Sequence, residues 1–70
     1  MKKYFAENLR YLRKKRKLSQ NDIAVIVRKT NKTVSAWEKG IREPLVEDVY
    51  ILSVFFGVSI ESLYFTDLRK

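Results

Sequence analysis

The sequence contains no cysteine and no histidine in its 70 residues. A disulfide framework and a structural zinc site of the usual kind are therefore both excluded, and the reducing cytoplasm is the expected location. The longest apolar stretch, VYILSVFFGV, is interrupted by Ser53 and Gly57. Because a membrane span needs about 20 consecutive apolar residues and a signal peptide needs an unbroken apolar segment, neither is expected.

Groups that could perform catalysis are also missing. There is no Gly-rich phosphate loop, and the carboxylates occur singly except for Glu47 and Asp48. These two acids lie at the predicted start of a helix, where the helix dipole favours negative charge. No acid/base pair or activated nucleophile can be assembled from such a set. The sequence therefore argues against an enzyme and predicts neither a cofactor nor a metal ion.

The chain does contain an uneven excess of positive charge. Residues 1–42 hold 13 Lys and Arg against 3 Asp and Glu, a net charge of +10, whereas residues 43–70 hold 2 against 5, a net charge of −3. A basic half with short polar side chains suits a polyanion, and a mildly acidic, apolar half suits a protein contact. Nucleic acid is therefore the expected partner of the first half.

Apolar residues recur at helical spacing in five segments, so the fold is predicted to be all-α. Ser19 with Asp22 resembles a capping box, Thr30 can cap the following helix, and Gly40 can end it in the left-handed conformation. The five predicted helices span residues 4–16, residues 20–27, residues 31–39, the segment between Pro44 and Gly57, and a short segment that begins near Ser59. Residues 1–66 are predicted to form one domain, and residues 67–70 a short frayed tail.

Only Arg28, Lys29 and the capping Thr30 separate the second and third predicted helices. This is the connection length of a helix-turn-helix. The third helix is therefore the candidate for contact with DNA.

The third predicted helix has two different faces. Val34 and Trp37 share one side with Ile41, and we expect Trp37 to pack in the core, although its indole N–H could instead reach a phosphate at the rim. The opposite face is small, polar and basic, which suits a helix that enters a major groove. An ordinary solvated face would have the same composition. The predicted base contacts are Asn31, Lys32, Ser35 and Ala36.

Several motifs occur in a fixed order along the chain. LSQ precedes the second predicted helix, TVSAWEKG runs through the third, and FFGVSIESL closes the fourth and begins the fifth; Arg13, Ala24 and Pro44 match as well. In this order and register the chain resembles the Cro/cI-type helix-turn-helix family of bacterial and phage transcriptional regulators. The fold that this resemblance implies is a compact five-helix, lambda-repressor-like domain whose helices 2 and 3 form the helix-turn-helix.

The resemblance also implies roles for individual residues. Gln20 would anchor a phosphate at the start of the second helix, where free amides and the helix dipole also favour an anion. Arg13 and Glu38 would pair and tie the first helix to the third. In the basic run RKKRK, some of the cations are expected to touch phosphates, with a solvated basic face as the alternative. The predicted phosphate contacts are Arg13, Lys14, Lys17, Gln20, Thr30, Thr33 and Lys39.

The chain departs from the family pattern at several positions. Arg28 stands in the turn where the family often has glycine, and a left-handed non-glycine residue costs about 1–2 kcal/mol, so a turn of different shape is expected. Lys17 also replaces a frequent glycine, and Leu45 replaces a small capping residue. Val25 and Ile26 leave apolar surface on the second helix without an assigned partner.

The fourth predicted helix is apolar nearly all round, which requires burial on more than one side. A two-fold partner would cover the excess, and similar domains often pair through this region. The alternative is that Tyr50 and Phe55 pack under the tail. The predicted dimer contacts are Tyr50, Val54, Phe55, Ile60, Leu63 and Tyr64.

The sequence thus predicts a sequence-specific transcriptional regulator, a repressor, that binds a palindromic operator in double-stranded DNA as a homodimer. The alternative is an antitoxin-type or other protein-binding module with the same helix-turn-helix fold, since many antitoxins bind both DNA and a toxin.

Overall fold

The structure, a computed structural model, describes residues 4–70 and contains five α-helices. In chain order these are α1 (Phe5–Lys15), α2 (Gln20–Val27), α3 (Asn31–Glu38), α4 (Val46–Phe56) and α5 (Ile60–Phe65). No strand occurs among the described residues, so the predicted all-α class is confirmed. Residues 1–3 of the predicted domain lie outside the described part of the chain.

Short polar side chains begin α2 and α3 as predicted. Ser19 Oγ accepts a hydrogen bond from the Asp22 N–H at 3.0 Å, and Asp22 Oδ2 accepts one from the Ser19 N–H at 2.8 Å, which completes the capping box. Thr30 Oγ1 accepts from the Thr33 N–H at 3.2 Å. These bonds use amides that the first turn of a helix leaves without a partner, and so they fix where both helices start.

The N-terminus of α4 is capped by a side chain from within its first turn and not by the side chain of the N-cap residue. Leu45 has no side-chain acceptor, and the buried Asp48 carboxylate instead accepts from the Leu45 N–H at 3.1 Å. At the other end, Gly57 adopts φ +70° and stops the helix. Asp48 thus combines the cap with a favourable charge at the helix N-terminus.

The turn between α2 and α3 contains a residue with left-handed backbone angles, although that residue is not glycine. Arg28 has φ 59° and ψ 43°, so the expectation of a differently shaped turn is wrong. Its conformation allows the Arg28 N–H to donate to the Val25 carbonyl and the Lys29 N–H to donate to the Ala24 carbonyl. These bonds and the packing of α2 on α3 offset the cost of the strained backbone. Lys17, after α1, adopts the same region at φ 59°.

All five helices meet in one core. Each contributes a side chain with no exposed surface; these are Leu9, Ile23, Val34, Leu52 and Leu63. Burying an aliphatic side chain of this size stabilises the fold by about 1.5–3 kcal/mol. Trp37 is also buried and packs edge-on against Phe5, with ring centroids 6.4 Å apart, as a core residue should.

Ile41 does not join that core. It is 73% exposed, so the prediction that it shares the buried side of α3 with Val34 is wrong. The helix ends at Glu38, and Gly40 has φ +73°. The helical period therefore does not continue to residue 41, and the chain turns away from the core.

The end of the chain is packed rather than frayed. The amide nitrogen of the fully buried Asn8 donates to the carbonyls of Leu63 at 2.9 Å and Thr66 at 2.7 Å. Asn8 Oδ1 in turn accepts from the Leu68 N–H at 3.0 Å, and Leu68 packs against the core. The predicted frayed tail is thus corrected, because one buried side chain in α1 satisfies the backbone that follows α5.

An ion pair between Arg13 and Glu38 joins α1 to the end of α3. Arg13 Nε donates to Glu38 Oε2 at 2.7 Å and Arg13 Nη2 donates to Glu38 Oε1 at 3.0 Å, a two-point contact between planar groups. The side chains are 10% and 4% exposed. Hydrogen bonding to Glu38 raises the pKa of Arg13, against the lowering effect of burial.

Replacing Glu38 by alanine is expected to lower the free energy of unfolding by about 3–5 kcal/mol, because the Arg13 guanidinium is left buried without its counter-charge. Urea denaturation followed by circular dichroism measures the loss. The control is the double variant Arg13→Met, Glu38→Met, which removes both charges and should lose less than the single variant. An unchanged denaturation midpoint for Glu38→Ala would show that the pair is solvated.

Candidate nucleic-acid interface

The exposed side of α3 carries the four residues predicted to contact bases. Because an α-helix has 3.6 residues per turn, Lys32 and Ala36 lie on the side of α3 opposite the buried Val34 and Trp37. The ridge that results has mostly short side chains, which lets a helix approach base edges closely. We call this surface the α3 ridge; its members are the exposed Asn31 and Lys32 and the half-buried Ser35 and Ala36.

Two threonines at the start of α3 bond to each other. Thr30 Oγ1 and Thr33 Oγ1 are 3.0 Å apart, and Thr30 also accepts from the Thr33 N–H. One of the two hydroxyl protons is used between them, so a single proton is left to donate elsewhere. As predicted phosphate contacts, these threonines can therefore offer one side-chain hydrogen bond between them.

A groove runs between α1 and α3, and most of its charged side chains are cations. We call it the α1–α3 groove; it is lined by Arg10, Arg13 and Lys14 of α1, Gln20 of α2, Ser35 and Glu38 of α3, and Lys39. Arg10, Lys14 and Lys39 are exposed, whereas Arg13 is buried. Four of the residues predicted to contact phosphates, Arg13, Lys14, Gln20 and Lys39, thus meet in one groove.

Glu38 is the only acid that lines this groove, and its charge is compensated. Besides the Arg13 pair, Glu38 Oε1 accepts from Gln20 Nε2 at 3.1 Å. The third nitrogen of the Arg13 side chain, Nη1, donates to the Leu18 carbonyl at 2.9 Å. Gln20 is therefore oriented by Glu38, and its second amide proton is available to an acceptor in the groove.

The cations of the run RKKRK have different surroundings. Arg13 is committed to Glu38 and Leu18, which corrects its predicted role as a direct phosphate contact, because its guanidinium is buried and three of its N–H groups are used. Arg16 donates to the carbonyls of Phe55 and Phe56 at 2.9 and 3.3 Å, with its guanidinium over both rings. The three lysines of the run, Lys14, Lys15 and Lys17, are exposed.

A second groove lies on the other side of α3. We call it the α3–α4 groove; it is lined by Lys29, Thr33, Trp37, Arg42, Glu43, Leu45 and Asp48. The Lys29 ammonium is 3.8 Å from Asp48 Oδ1, so the helix-turn-helix turn is tied to the start of α4. The charge of this groove is balanced, in contrast to that of the α1–α3 groove.

The predicted dimer surface is only partly exposed. Leu63 and Tyr64 are 0% and 9% exposed in a single chain, so their assignment to a dimer interface is corrected: they belong to the core. Phe55 and Ile60 are half-buried, and Phe55 is in part covered by Arg16.

One apolar stripe on α4 is open. Val46, Tyr50 and Val54 are 69%, 59% and 64% exposed and recur every fourth residue, so they share one face. We call these three residues the α4 stripe. Val25 on α2 is exposed as well, whereas Ile26 packs against the core.

Sequence reasoning missed two residues of these surfaces. Arg10 stands one helical turn before Lys14, and this spacing was the signal that could have placed both on one side of α1. Val46 is absent from the predicted dimer contacts although it is 69% exposed. Its spacing from Tyr50 and Val54 matches one face of a helix.

None of the helices within residues 4–70 is long and apolar enough to cross a membrane. The same residues contain no cluster of acidic side chains that could hold a metal ion.

Comparison with known proteins agrees with this geometry. A family model described as helix-turn-helix matches residues 9–63. The structure is also similar to that of the P22 c2 repressor protein, solved in complex with synthetic operator 9T in the presence of Tl+. The TM-score is 0.83 and the sequence identity 32%, over 90% of this chain and 96% of that chain. No curated protein sequence matches the chain. The chain therefore belongs to the Cro/cI-type helix-turn-helix family of DNA-binding domains.

Proposed function

We propose that this chain is a sequence-specific transcriptional repressor that binds a palindromic operator in double-stranded DNA as a homodimer. The α3 ridge beside a strongly basic groove is the observation that carries the proposal. The similar P22 c2 repressor protein, in a complex with a synthetic operator, supports it. The role as a repressor follows from simple occlusion of a promoter, which needs no contact surface beyond the DNA interface.

In this proposal the α3 ridge reads bases. Asn31 can bond bidentately to adenine, Lys32 can donate to guanine, Ser35 can bond to several bases, and the methyl group of Ala36 can contact a thymine methyl. Asn31 and Lys32 lie in the first turn of α3, at the end that a recognition helix directs towards bases.

The phosphate contacts surround that ridge. Gln20 and Lys39 face the α1–α3 groove, and Thr30 lies at the N-terminus of α3, where free amides favour an anion. Contacts of this kind position a protein on DNA without reading sequence. The proposed set is Lys14, Lys17, Gln20, Thr30, Thr33 and Lys39.

A homodimer follows from size and from the α4 stripe. The Cα atoms of the described chain extend 26 Å along its longest axis, and the chain carries a single α3 ridge, whereas half-sites one helical turn apart are separated by roughly 34 Å. One copy can thus read one half-site, and a palindrome needs two copies. The α4 stripe offers an apolar surface for a two-fold contact, because in a two-fold dimer the same surface of each copy contacts the other.

Salt dependence tests the DNA-binding proposal. If a dimer neutralises about 6–10 phosphates, its affinity should fall by roughly 10³–10⁵ between 50 and 200 mM salt, because counterions are released on binding. Fluorescence anisotropy with a labelled duplex, taken from a selection against a random pool, measures this. A flat profile contradicts the proposal.

Two classes of variant should separate base contacts from phosphate contacts. Asn31→Ala or Lys32→Ala should lose about 1–3 kcal/mol on the selected duplex and relax preference at one base pair. Gln20→Ala should weaken binding to selected and scrambled duplexes alike. Titrations of both duplexes with each variant give the comparison. Equal losses on the two duplexes for all three variants would show that the α3 ridge does not read sequence.

Sedimentation equilibrium at micromolar concentration should find a dimer, and Tyr50→Glu should shift it to monomer because a charge is placed in the middle of the α4 stripe. Val25→Glu is the matched control: Val25 is 70% exposed, against 59% for Tyr50, but lies on α2, so this variant should leave the dimer intact. A wild-type monomer that binds DNA with one-to-one stoichiometry overturns the homodimer and the palindrome. In that case the α4 stripe is left for a different protein, as in the antitoxin-type alternative.

A further inference from the structure

We infer that the grip on the DNA backbone is one-sided: Arg10 joins Lys14 in holding phosphate in the α1–α3 groove, whereas the charged side chains of the α3–α4 groove contribute little. The inference rests on the proposed function. It assigns a role to Arg10 and ranks the two sides of the recognition helix.

The two grooves lie on opposite sides of the same helix. Ser35, which lines the α1–α3 groove, and Thr33, which lines the α3–α4 groove, are separated by about 160° across the exposed side of α3, with Ala36 between them. A helix in the major groove has a phosphate backbone on each side, about 12 Å apart. Each groove therefore faces one strand.

The charges of the two grooves differ strongly. Four cations and one acid line the α1–α3 groove, a net charge of +3. Among the described residues, two cations and two acids line the α3–α4 groove, a net charge of zero. A phosphate is attracted by the net charge of the α1–α3 groove and is neither attracted nor repelled by that of the α3–α4 groove.

Pairing within each groove leaves this difference unchanged, because Glu38 and Asp48 are each matched by a cation of the same groove. The one acid of the α1–α3 groove, Glu38, accepts three N–H bonds from Arg13 and Gln20, so it offers little repulsion to a phosphate. In the α3–α4 groove, Lys29 is instead drawn to the buried Asp48. Releasing Lys29 to a phosphate would leave the charge of Asp48 without this partner.

Arg10 and Lys14 fit this role because of their exposure and spacing. Both are exposed, neither forms a salt bridge within the described chain, and they are one turn apart on α1. Lys39 faces them from the end of α3. Cations from α1 and from the C-cap residue of α3 thus line both walls of the groove.

The test is the salt slope of binding to a mixed-sequence duplex of about 20 base pairs, measured by fluorescence anisotropy with the full chain. Arg10→Gln and Lys14→Gln should each reduce the slope of log K against log salt by about 0.9 per bound chain. Lys15→Gln is the matched control: it removes the same charge from the same helix, but Lys15 lies over Tyr11 and not in the groove. Arg42→Gln is the corresponding variant for the α3–α4 groove.

The possible outcomes distinguish failure of the one-sided grip from failure of DNA binding itself. Reduced slopes for Arg10→Gln and Lys14→Gln, with slopes near that of the wild type for Lys15→Gln and Arg42→Gln, support the one-sided grip. If Arg10→Gln and Lys14→Gln change the slope no more than Lys15→Gln does, α1 is not part of the interface although DNA binding stands. An equal effect of Arg42→Gln overturns the asymmetry. A flat slope for the wild type overturns DNA binding itself, and the grip with it.

Discussion

The two-point ion pair between Arg13 and Glu38 is the interaction on which the surface proposed to bind DNA depends. It holds α1 against the end of α3, and the same Glu38 carboxylate also fixes the amide of Gln20 at the start of α2. Three helices are thereby joined through one buried acid. Because that acid is satisfied from within the protein, it can lie in a basic groove without repelling an anion.

Much of the architecture could be predicted because local chemistry and hydrophobic period agree. Ser19, Thr30 and Gly57 mark helix ends by bonds and dihedral angles that depend on a few neighbouring residues. Some errors arise where distant contacts decide. The residues after α5 are fixed by Asn8, some 60 positions away. The error at Ile41 is local, because the left-handed Gly40 beside it ends the helical period of α3.

The site was harder to predict than the fold for the same reason. A run of five cations looks uniform in sequence, yet Arg13 is paired with an acid of α3 and Arg16 caps carbonyls at the end of α4. Arg10, which lies outside that run, lines the groove. Leu63 and Tyr64 are apolar like the α4 stripe, but the packing of α1 against α5 buries them. Composition predicts that a surface is basic or apolar, while packing decides which side chains are exposed on it.

The position of Asn8 has a consequence for how the chain acquires its structure during synthesis. Its side chain is fully buried, and every hydrogen bond that it makes is to backbone within residues 62–68. A buried amide without partners costs about 1–3 kcal/mol per unmet group, which offsets much of what α1 gains from Leu9 and Arg13 if it docks before α5 has emerged. The ribosome delivers α1 before it delivers the partners of Asn8. The domain is therefore expected to close as one unit after α5 has emerged, with no stable half-folded stage built on α1.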